Sequence, residues 1–310
     1  MSGVSDLPFR TLAHELGAGL VVSEMVASRE LVKARADVVR KAEGGHLRPF
    51  AVQLVGCEAE WMAEGARVLE GQGVDIIDIN MGCPAREVTG KLSGSALMRD
   101  LDHAERLIEA VIGAVSVPVT LKMRLGWDDQ SINAPELARR AERLGIRMLT
   151  VHGRTRQQFF KGTADWSKVK AVVDAVSIPV LVNGDIKSIE EAQTALAQSG
   201  AHGVMIGRGA YGAPWRVGEI GQTLDGGKPI GFDISIAERH VRDMLLFYGR
   251  ELGLKNAKKH IGWYLETAGY SGAELKTWRA RLCADDNADR VLQTLPDALK
   301  RAPQAMEAHA

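Results

Sequence analysis

The feature that most constrains this fold is an alternation of short apolar runs with amphipathic stretches of helical periodicity, from the start to about residue 215. Units of this kind, each roughly 25 to 30 residues long, are typical of parallel strands joined by crossover helices. The pattern predicts seven strands, at residues 20–23, 50–55, 74–79, 117–123, 147–152, 179–183 and 203–206. A parallel sheet of such units predicts a TIM (β/α)8 barrel, which has eight strands.

The opening residues suggest where the eighth strand belongs. The chain starts with Met-Ser-Gly-Val-Ser-Asp-Leu-Pro-Phe-Arg, which is typical of a strand-to-helix turn with Asp6 as the cap and Pro8 in the first helical turn. The strand that feeds this turn is missing from the sequence. We therefore expect the first strand of the barrel to be truncated, with Met1 an internal methionine of a longer pattern.

Beyond residue 230 the glycine and strand signals become sparse, and a different fold is expected. Helical periodicity predicts helices at residues 236–251, 254–267, 272–283 and 287–299. The stretch Gly226-Gly227-Lys228-Pro229 has the composition of a linker. The sequence thus predicts a barrel domain at 1–230 and a small helical bundle at 231–310.

Composition excludes several classes of protein. The chain is 45% hydrophobic and 25% charged, which is the balance of a globular protein with a large core. It has no apolar run of membrane-spanning length and no signal peptide pattern, so we expect a cytoplasmic protein without membrane contact. Three scattered cysteines do not form a disulfide framework or a metal site, and we expect no bound metal.

Charge is balanced overall but uneven along the chain. The formal net charge is zero, so the molecule as a whole gives no electrostatic case for nucleic acid. Residues 234–283, however, contain nine Lys or Arg and five acidic residues. This excess indicates that the C-terminal part faces a polyanion.

A polar residue ends each of the seven predicted strands, which a barrel does not need for stability. These polar endings are Glu24, Gln53, Asn80, Lys122, His152, Asn183 and Gly207-Arg208. The segment Asn80-Met81-Gly82-Cys83-Pro84 also places a thiol on a loop. Cysteines on loops are more often inert than catalytic, so Cys83 alone is a weak signal. The complete row nevertheless predicts an active site at the carboxyl ends of the strands.

The last two predicted strands end in glycine turns of the kind that bind phosphate. Asn183-Gly184-Asp185 and Gly207-Arg208-Gly209 could each be a simple tight turn, but together they favour a phosphorylated cofactor. Lys122 would reach the barrel mouth, where it either meets an anionic or carbonyl ligand or forms an ion pair with Asp78. Gln53 offers a donor and an acceptor that suit the edge of a flavin or pyrimidine ring.

The motifs resemble those of the tRNA-dihydrouridine synthases over nearly the whole chain. The resemblance is carried by the opening ten residues, by Asn80-Met81-Gly82-Cys83-Pro84, and by the segments at 121–124, 151–156 and 183–185. In the helical part, His260-Ile261-Gly262-Trp263-Tyr264 is similar to the bacterial B-type branch. One departure is that the family pattern begins with Ala-Pro-Met, of which only Met1 is present.

This resemblance implies FMN in the barrel mouth of a catalytic domain at 1–230. Backbone groups of Met1 and Ser2 would contact the flavin ring, Gln53 and Lys122 its polar edge, and His152 the region between ring and phosphate. The remaining cofactor contacts would come from Asn183, Gly184, Asp185, Gly207 and Arg208. His152 could instead be a histidine satisfied by the backbone alone.

The implied reaction is reduction of the C5=C6 bond of a uridine in the D-loop of tRNA, at position 17 if the B-type likeness holds. FMN would deliver hydride, Cys83 the proton, and NADPH would reduce the flavin again. An ordinary thiol has a pKa of about 8.5 and is mostly protonated at neutral pH, which suits a general acid. Asn80 would bind the uracil edge, and Arg154 a phosphate.

The target base must leave the folded tRNA, so another surface has to hold the RNA. The resemblance assigns this to a helical domain at 231–310, with phosphate contacts from Lys255, Lys258, Lys259, His260, Arg279 and Arg281. Without the resemblance, such a run is more typical of a solvated helix face. We expect tRNA and NAD(P)H as partners and a monomer. The alternatives are a small-molecule FMN barrel oxidoreductase of the dihydropyrimidine or dihydroorotate type, and a non-catalytic tRNA-binding factor.

Overall fold

The sheet of this protein contains seven parallel strands. The computed structural model describes residues 1–90, 92–228, 231 and 233–300, with Glu87 described by its backbone alone. Each strand pairs in parallel with the next along the chain. The strands are β1 (Val21–Ala27), β2 (Phe50–Val55), β3 (Ile76–Met81), β4 (Val119–Arg124), β5 (Leu149–His152), β6 (Val180–Asn183) and β7 (Gly203–Met205). The predicted TIM-like barrel of alternating strands and helices, followed by C-terminal helices, is confirmed.

Helices separate the strands and make up the C-terminal part. In chain order they are α1 (Leu7–Glu15), α2 (Ser28–Val32), α3 (Ala36–Ala42), α4 (Ala59–Gly71), α5 (Arg86–Thr89), α6 (Leu101–Ile112), α7 (Ala134–Leu144), α8 (Lys170–Val173), α9 (Ile189–Ser199), α10 (Arg216–Leu224), α11 (Ile234–Tyr248), α12 (Arg250–Thr267), α13 (Gly272–Cys283) and α14 (Ala288–Leu299). Short 3-10 turns lie at Gly94–Arg99, Ser167–Val169 and Arg208–Ala210. Among the described residues, no helix has both the length and the apolar character needed to cross a bilayer.

Polar side chains mark where several helices begin. The carboxylate of Asp100 accepts a hydrogen bond from the backbone N–H of His103 at the start of α6. Ser188 does the same for Glu191 at the start of α9, and Asn287 accepts from two backbone N–H groups of α14. Each cap satisfies donors that a helix leaves unpaired at its first turn, and this explains why these helices start where they do.

The first strand is longer than its sequence predicts. β1 continues past Ser23 to Ala27, with an irregularity in its pairing to β2 between Val22 and Met25. Glu24 therefore lies within the strand and not at its end, and its carboxylate accepts a hydrogen bond from the backbone N–H of Gly3. The prediction that the strand ends at Glu24 was wrong. A buried charge is costly inside a strand, but the hydrogen bond from Gly3 makes the burial of Glu24 tolerable.

Close packing divides the chain into two compact units. The first consists of Met1–Leu7 and Leu20–Gly207 and holds all seven strands, while the second consists of Pro8–Gly19 and the chain from Arg208 onward. The division thus follows β7, and most of α1 joins the C-terminal helices. The expected junction at residue 230 lies outside the described residues, as do residues 301–310. The domain boundaries of 1–230 and 231–310 stay a prediction.

The second unit has an apolar core of its own. Val241 and Met244 of α11 pack with Ile261 and Leu265 of α12 and with Leu295 of α14, and all five are essentially inaccessible to solvent. These positions recur every three to four residues along each helix, as a core-facing helix requires. The predicted C-terminal helical bundle is thereby confirmed.

Candidate functional site

The register of the sheet brings predicted site residues side by side. Asn80 of β3 pairs with Lys122 of β4, and His152 of β5 lies between Arg124 of β4 and Asn183 of β6. All of these residues lie in the last two positions of β3 or the last three of β4 to β6. Because parallel strands end at the same edge of the sheet, the polar row of the sequence becomes one cluster.

A chain of hydrogen bonds joins two neighbouring strands to the cysteine loop. Gln53 Nε2 donates to the carboxylate of Asp78 at 2.7 Å, and Asn80 Nδ2 donates to Gln53 Oε1 at 2.7 Å. Asn80 Oδ1 then accepts from the backbone N–H groups of Gly82 at 3.1 Å and Cys83 at 2.9 Å. We refer to this path from Asp78 to Cys83 as the amide relay.

The carboxylate at its start gives the amide relay a direction. Asp78 accepts from Gln53 on one oxygen and from the Thr120 hydroxyl on the other, at 2.7 Å in both cases. An amide that donates to this carboxylate must turn its carbonyl the other way, and Asn80 is then oriented in the same sense. The carbonyl oxygen of Asn80 therefore points toward the loop. Burial raises the pKa of Asp78, while its two hydrogen bonds and Lys122 oppose that rise.

The loop itself is fastened from its other side. The backbone carbonyl of Cys83 accepts hydrogen bonds from the Ser95 hydroxyl at 2.8 Å and the Ser95 N–H at 3.0 Å. Gly94 has a φ of +58°, and a Cβ there would lie 2.8 Å from the Cys83 carbonyl oxygen. Only glycine combines this backbone conformation with such a close approach. Cys83, which is partly exposed, is thus held at both its N–H and its carbonyl.

Lys122 places a cation in the same cluster. Its ammonium donates to Asn183 Oδ1 at 3.0 Å, while Asn183 Nδ2 donates to the carbonyl of Met205 at 2.7 Å. Burial lowers the pKa of Lys122 to about 8, and the nearby Asp78 partly offsets this. No ion pair between Lys122 and Asp78 is present in the described part of the chain. A largely protonated ammonium with a neutral partner fits an anionic or carbonyl ligand.

The turn after β6 has a left-handed backbone conformation, which hydrogen bonds from Trp166 and Ala164 stabilise. Gly184 has a φ of +118° and Asp185 a φ of +57°. A Cβ on Gly184 would lie 2.8 Å from the His152 ring, so the glycine allows this ring to pack against the turn. Trp166 Nε1 donates to the Gly184 carbonyl at 2.8 Å, and the backbone N–H of Ala164 donates to Asp185 at 2.8 Å. The turn is suited to a ligand's phosphate through its backbone.

Arg154 is the predicted site residue whose role the geometry changes. Its side chain is only 2% exposed and forms a two-pronged ion pair with Asp185. It also donates to the carbonyls of Gly162 at 2.7 Å and Lys161 at 3.2 Å. The guanidinium is therefore engaged with the protein, and the prediction that it meets a substrate phosphate is not supported. It fixes the turn after β6 instead, because bidentate pairs are geometrically specific.

Four predicted cofactor residues lie at the ends of the first unit or just beyond it. Met1 Sδ lies 3.8 Å from the place a Cβ on Gly207 would occupy, so the first residue and the end of β7 are close together. Ser2 is exposed. Arg208, also exposed, is the first residue of the second unit.

The predicted RNA contacts lie on α12 and α13 of the second unit. Lys258 forms an ion pair with Asp286 at 2.6 Å and Arg279 one with Glu266 at 2.5 Å, while Lys259 is partly exposed. Surface pairs of this kind contribute between about 0 and 1 kcal/mol, so they do not prevent a phosphate from competing.

His260 is not a phosphate contact. It is 1% exposed and packs edge-on against His240, with their ring centroids 4.6 Å apart. Its Nε2 is buried without a hydrogen-bond partner among the described residues. The sequence analysis grouped His260 with its basic neighbours. Successive side chains of a helix differ in direction by about 100°, so His260 points toward the core although Lys259 does not.

Sequence reasoning missed the parts that support the site. Thr120 had no assigned role, Gly94 and Ser95 were expected only in a glycine-hinged loop that could close over a substrate, and Asp78 was considered only as a partner for Lys122. The available signal was an acid in the middle of a buried strand, since such a group requires hydrogen-bond partners nearby.

The sequence of this chain is similar to those of one family of known proteins. A family model described as "Dihydrouridine synthase (Dus)" matches residues 1–303. A "Probable tRNA-dihydrouridine synthase" of Rhizobium leguminosarum bv. phaseoli is 55% identical over 267 residues, which cover 86% of this chain and 83% of that protein. The "tRNA-dihydrouridine synthase B" of Serratia marcescens is 44% identical over 275 residues, covering 86% and 81%. Among solved structures, that of FabK from Thermotoga maritima has a TM-score of 0.43 and 19% identity, over 69% of this chain and 58% of that one.

Proposed function

Because this chain belongs to the dihydrouridine synthase family, we propose that it reduces the C5=C6 bond of a uridine in the D-loop of tRNA. The product is 5,6-dihydrouridine, FMN is the bound cofactor and NADPH the reductant. The similarity to a B-type relative favours position 17. The observation that carries the proposal is the amide relay, because it holds a partly exposed thiol beside the polar cluster of β3 to β6.

The donor set of the cluster fits a flavin mononucleotide. Lys122 and Gln53 would hold the polar edge of the ring, where carbonyl oxygens and ring nitrogens need donors. The turn at Gly184 and Asp185 would bind the phosphate through backbone N–H groups, and His152 would lie between ring and phosphate. Asn183, Gly207, Arg208, Met1 and Ser2 complete the proposed contacts. When bound, FMN supplies the hydride that adds to C6 of the uracil ring.

The protein's own groups then position the base and supply a proton. Asn80 would bind the uracil edge, in an orientation that the amide relay fixes. Hydride addition at C6 leaves negative charge that ends at C5, and the Cys83 thiol gives its proton to that carbon. A general acid of this kind typically contributes 10²–10⁴-fold to the rate. The base must be extruded from the tRNA to reach the site, and Lys258, Lys259 and Arg279 would hold phosphates of the RNA outside.

Substitution of Cys83 tests this function. We expect wild-type protein with NADPH and unmodified tRNA to form dihydrouridine, measured by mass spectrometry of nuclease digests. Cys83→Ala should lower turnover by about 10²–10⁴-fold, since the proton donor is lost. It should still oxidise NADPH in the absence of tRNA, with dissolved dioxygen as the electron acceptor. Ser95→Ala is the matched control, because it removes one hydrogen bond to the loop and leaves the thiol in place.

Two outcomes would favour other functions. If wild-type protein reduces free dihydropyrimidine-type substrates but not tRNA, it is a small-molecule flavin oxidoreductase. If it binds tRNA but neither binds flavin nor forms dihydrouridine, it is a non-catalytic binding factor.

A further inference from the structure

A patch of aromatic and arginine side chains lies next to the cysteine loop and has no role in the chemistry above. We call it the rim patch and define it as Arg99, Trp127, Arg156, Phe159 and Phe160. Its members come from the loops that follow β3, β4 and β5. Loops at this edge of a barrel surround the active site, so the patch belongs to the rim of the proposed one.

Hydrogen bonds tie the patch directly to the cysteine loop. Arg124 Nε donates to the carbonyl of Gly82 at 2.9 Å, one residue before Cys83. The same guanidinium donates to the carbonyl of Phe159 at 2.8 Å and lies 5.5 Å from the centroid of the Phe160 ring. The two phenylalanines are thus held at a fixed place relative to the proposed proton donor.

The two phenylalanines form an exposed aromatic surface. They are 40% and 42% exposed and pack edge to face, with their ring centroids 4.7 Å apart. Phe159 also has a φ of +54°, which is costly for a bulky side chain. Strained residues of this kind cluster at ligand sites, because the surrounding structure has to maintain them.

The arginines carry positive charge that the described residues do not neutralise. Arg99 and Arg156 lie 4.9 and 4.8 Å from the centroid of the same Trp127 ring, and neither forms an ion pair within the described ranges. Arg156 Nε is buried without a hydrogen-bond partner there. The acids of the neighbouring loop are already engaged: Asp128 accepts from the Ser131 hydroxyl at 2.7 Å, and Asp129 lies 3.9 Å from Lys168. The patch therefore calls for an anionic ligand with a flat apolar part.

We propose that the rim patch binds the single-stranded RNA adjacent to the uridine that enters the site. A neighbouring base stacks on Phe159 and Phe160, and backbone phosphates lie against Arg99 and Arg156. Aromatic faces combined with nearby cations are what single-stranded nucleic acid requires. The proposal rests on the proposed function, because it takes tRNA as the substrate.

The aromatic half is tested with a pair of double variants. Phe159→Leu/Phe160→Leu keeps apolar surface but removes the stacking faces, whereas Phe159→Tyr/Phe160→Tyr keeps both. We measure the Kd for an unmodified tRNA transcript by fluorescence anisotropy, together with kcat and KM. The leucine pair should raise Kd and KM by about tenfold with little change in kcat, and the tyrosine pair should stay within about twofold of wild type. Equal affinity of the leucine pair and wild type overturns the stacking role.

The charged half is tested through salt dependence. Arg99→Gln/Arg156→Gln removes two phosphate contacts, so the slope of log Kd against log salt should become shallower by about 1.4. Arg147→Gln is the control, because Arg147 is exposed and, like Arg99 and Arg156, outside any ion pair in the described ranges, but precedes β5 at the opposite edge of the sheet. An unchanged slope in the double variant overturns the phosphate role.

The two proposals fail in different ways. If wild-type protein makes no dihydrouridine, the proposed function is wrong, and the rim patch is still judged by tRNA affinity. If wild-type protein is active and both the leucine pair and the Arg99→Gln/Arg156→Gln variant bind tRNA as it does, the rim patch proposal is wrong and the function stands. NADPH oxidation without tRNA should be the same in all variants, so a loss there identifies a variant whose site is damaged.

Discussion

The position of the Cys83 thiol depends on two side chains of the sheet, those of Gln53 and Asn80. Gln53 and Asn80 are amides, and an amide can be turned end for end at almost no steric cost. Asp78 removes this freedom, because its carboxylate oxygens accept the hydrogen bonds that start the amide relay. The buried acid is therefore expected to act on catalysis without touching the substrate.

Removal of the Asp78 carboxylate should lower both the free energy of unfolding and kcat. Asp78→Leu leaves the Gln53 amide buried without its partner, which typically costs about 1–3 kcal/mol of unfolding free energy. We expect that loss in urea unfolding, together with a fall of about tenfold or more in kcat. Asp78→Asn should lose less than half as much stability, because the Thr120 hydroxyl can turn to accept from the new amide. If leucine and asparagine are equally damaging, the charge of Asp78 matters and its acceptor role does not.

At the residue scale, sequence predicts the type of group better than its partners. Lys122, Asn80 and Asn183 were expected in one cluster, and the register brings them together. Arg154 was expected to meet a phosphate but is paired with Asp185. The partners of a buried charge lie far away in sequence, in this case 31 residues apart, so no local pattern indicates them.

At the scale of elements, hydrophobic periodicity predicts the middle of a helix or strand more accurately than its ends. The helix at 272–283 and the strand at 50–55 have the predicted bounds, and the other strands shift by one to four residues at an end. Ends depend on caps, and β1 also depends on the irregularity that carries it past Glu24. These are tertiary features, which a count of apolar residues does not contain.

The pair of helices α11 and α12 should make the second unit sensitive to acid. Burial lowers the pKa of His240 to about 3, and Lys259 adds to that effect. The ring faces Phe9, His260 and the Tyr264 hydroxyl, which lies 3.0 Å from Nδ1, and burial also lowers the pKa of His260. The unfolded state therefore binds more protons than the folded state below about pH 6.5, so stability falls as the pH falls toward about 3.

This sensitivity can be measured with one substitution. We expect the urea unfolding free energy of wild-type protein to fall between about pH 6.5 and about pH 4.5, with His240 contributing up to about 1.4 kcal/mol per pH unit. His240→Gln keeps a partner for Tyr264 but does not titrate, so its profile should be flatter. His103→Gln, which lies on α6 outside this cluster, is the control. Parallel profiles for wild type and His240→Gln would contradict the prediction.

For the whole molecule, a net charge of zero means that RNA must be attracted by local regions. The triple variant Lys258→Gln/Lys259→Gln/Arg279→Gln should raise the Kd for tRNA by about tenfold or more at about 100 mM salt and make the salt slope shallower by about 2 to 3. Its control is Arg67→Gln/Arg139→Gln/Lys170→Gln, three exposed cations that form ion pairs, as Lys258 and Arg279 do, but lie on α4, α7 and α8. Equal losses in the two triples would show a non-specific effect of charge.

The amide relay also determines what can be transferred to another protein. A cysteine introduced after the third strand of an unrelated parallel barrel would add a thiol whose orientation is not fixed. Its direction requires an acid and an amide on neighbouring strands, a second amide two residues after the acid, and a glycine where Gly94 makes room for the loop. A designer has to move these four positions and the cysteine as one unit, because loss of the acid alone removes the geometry and leaves the cysteine in place.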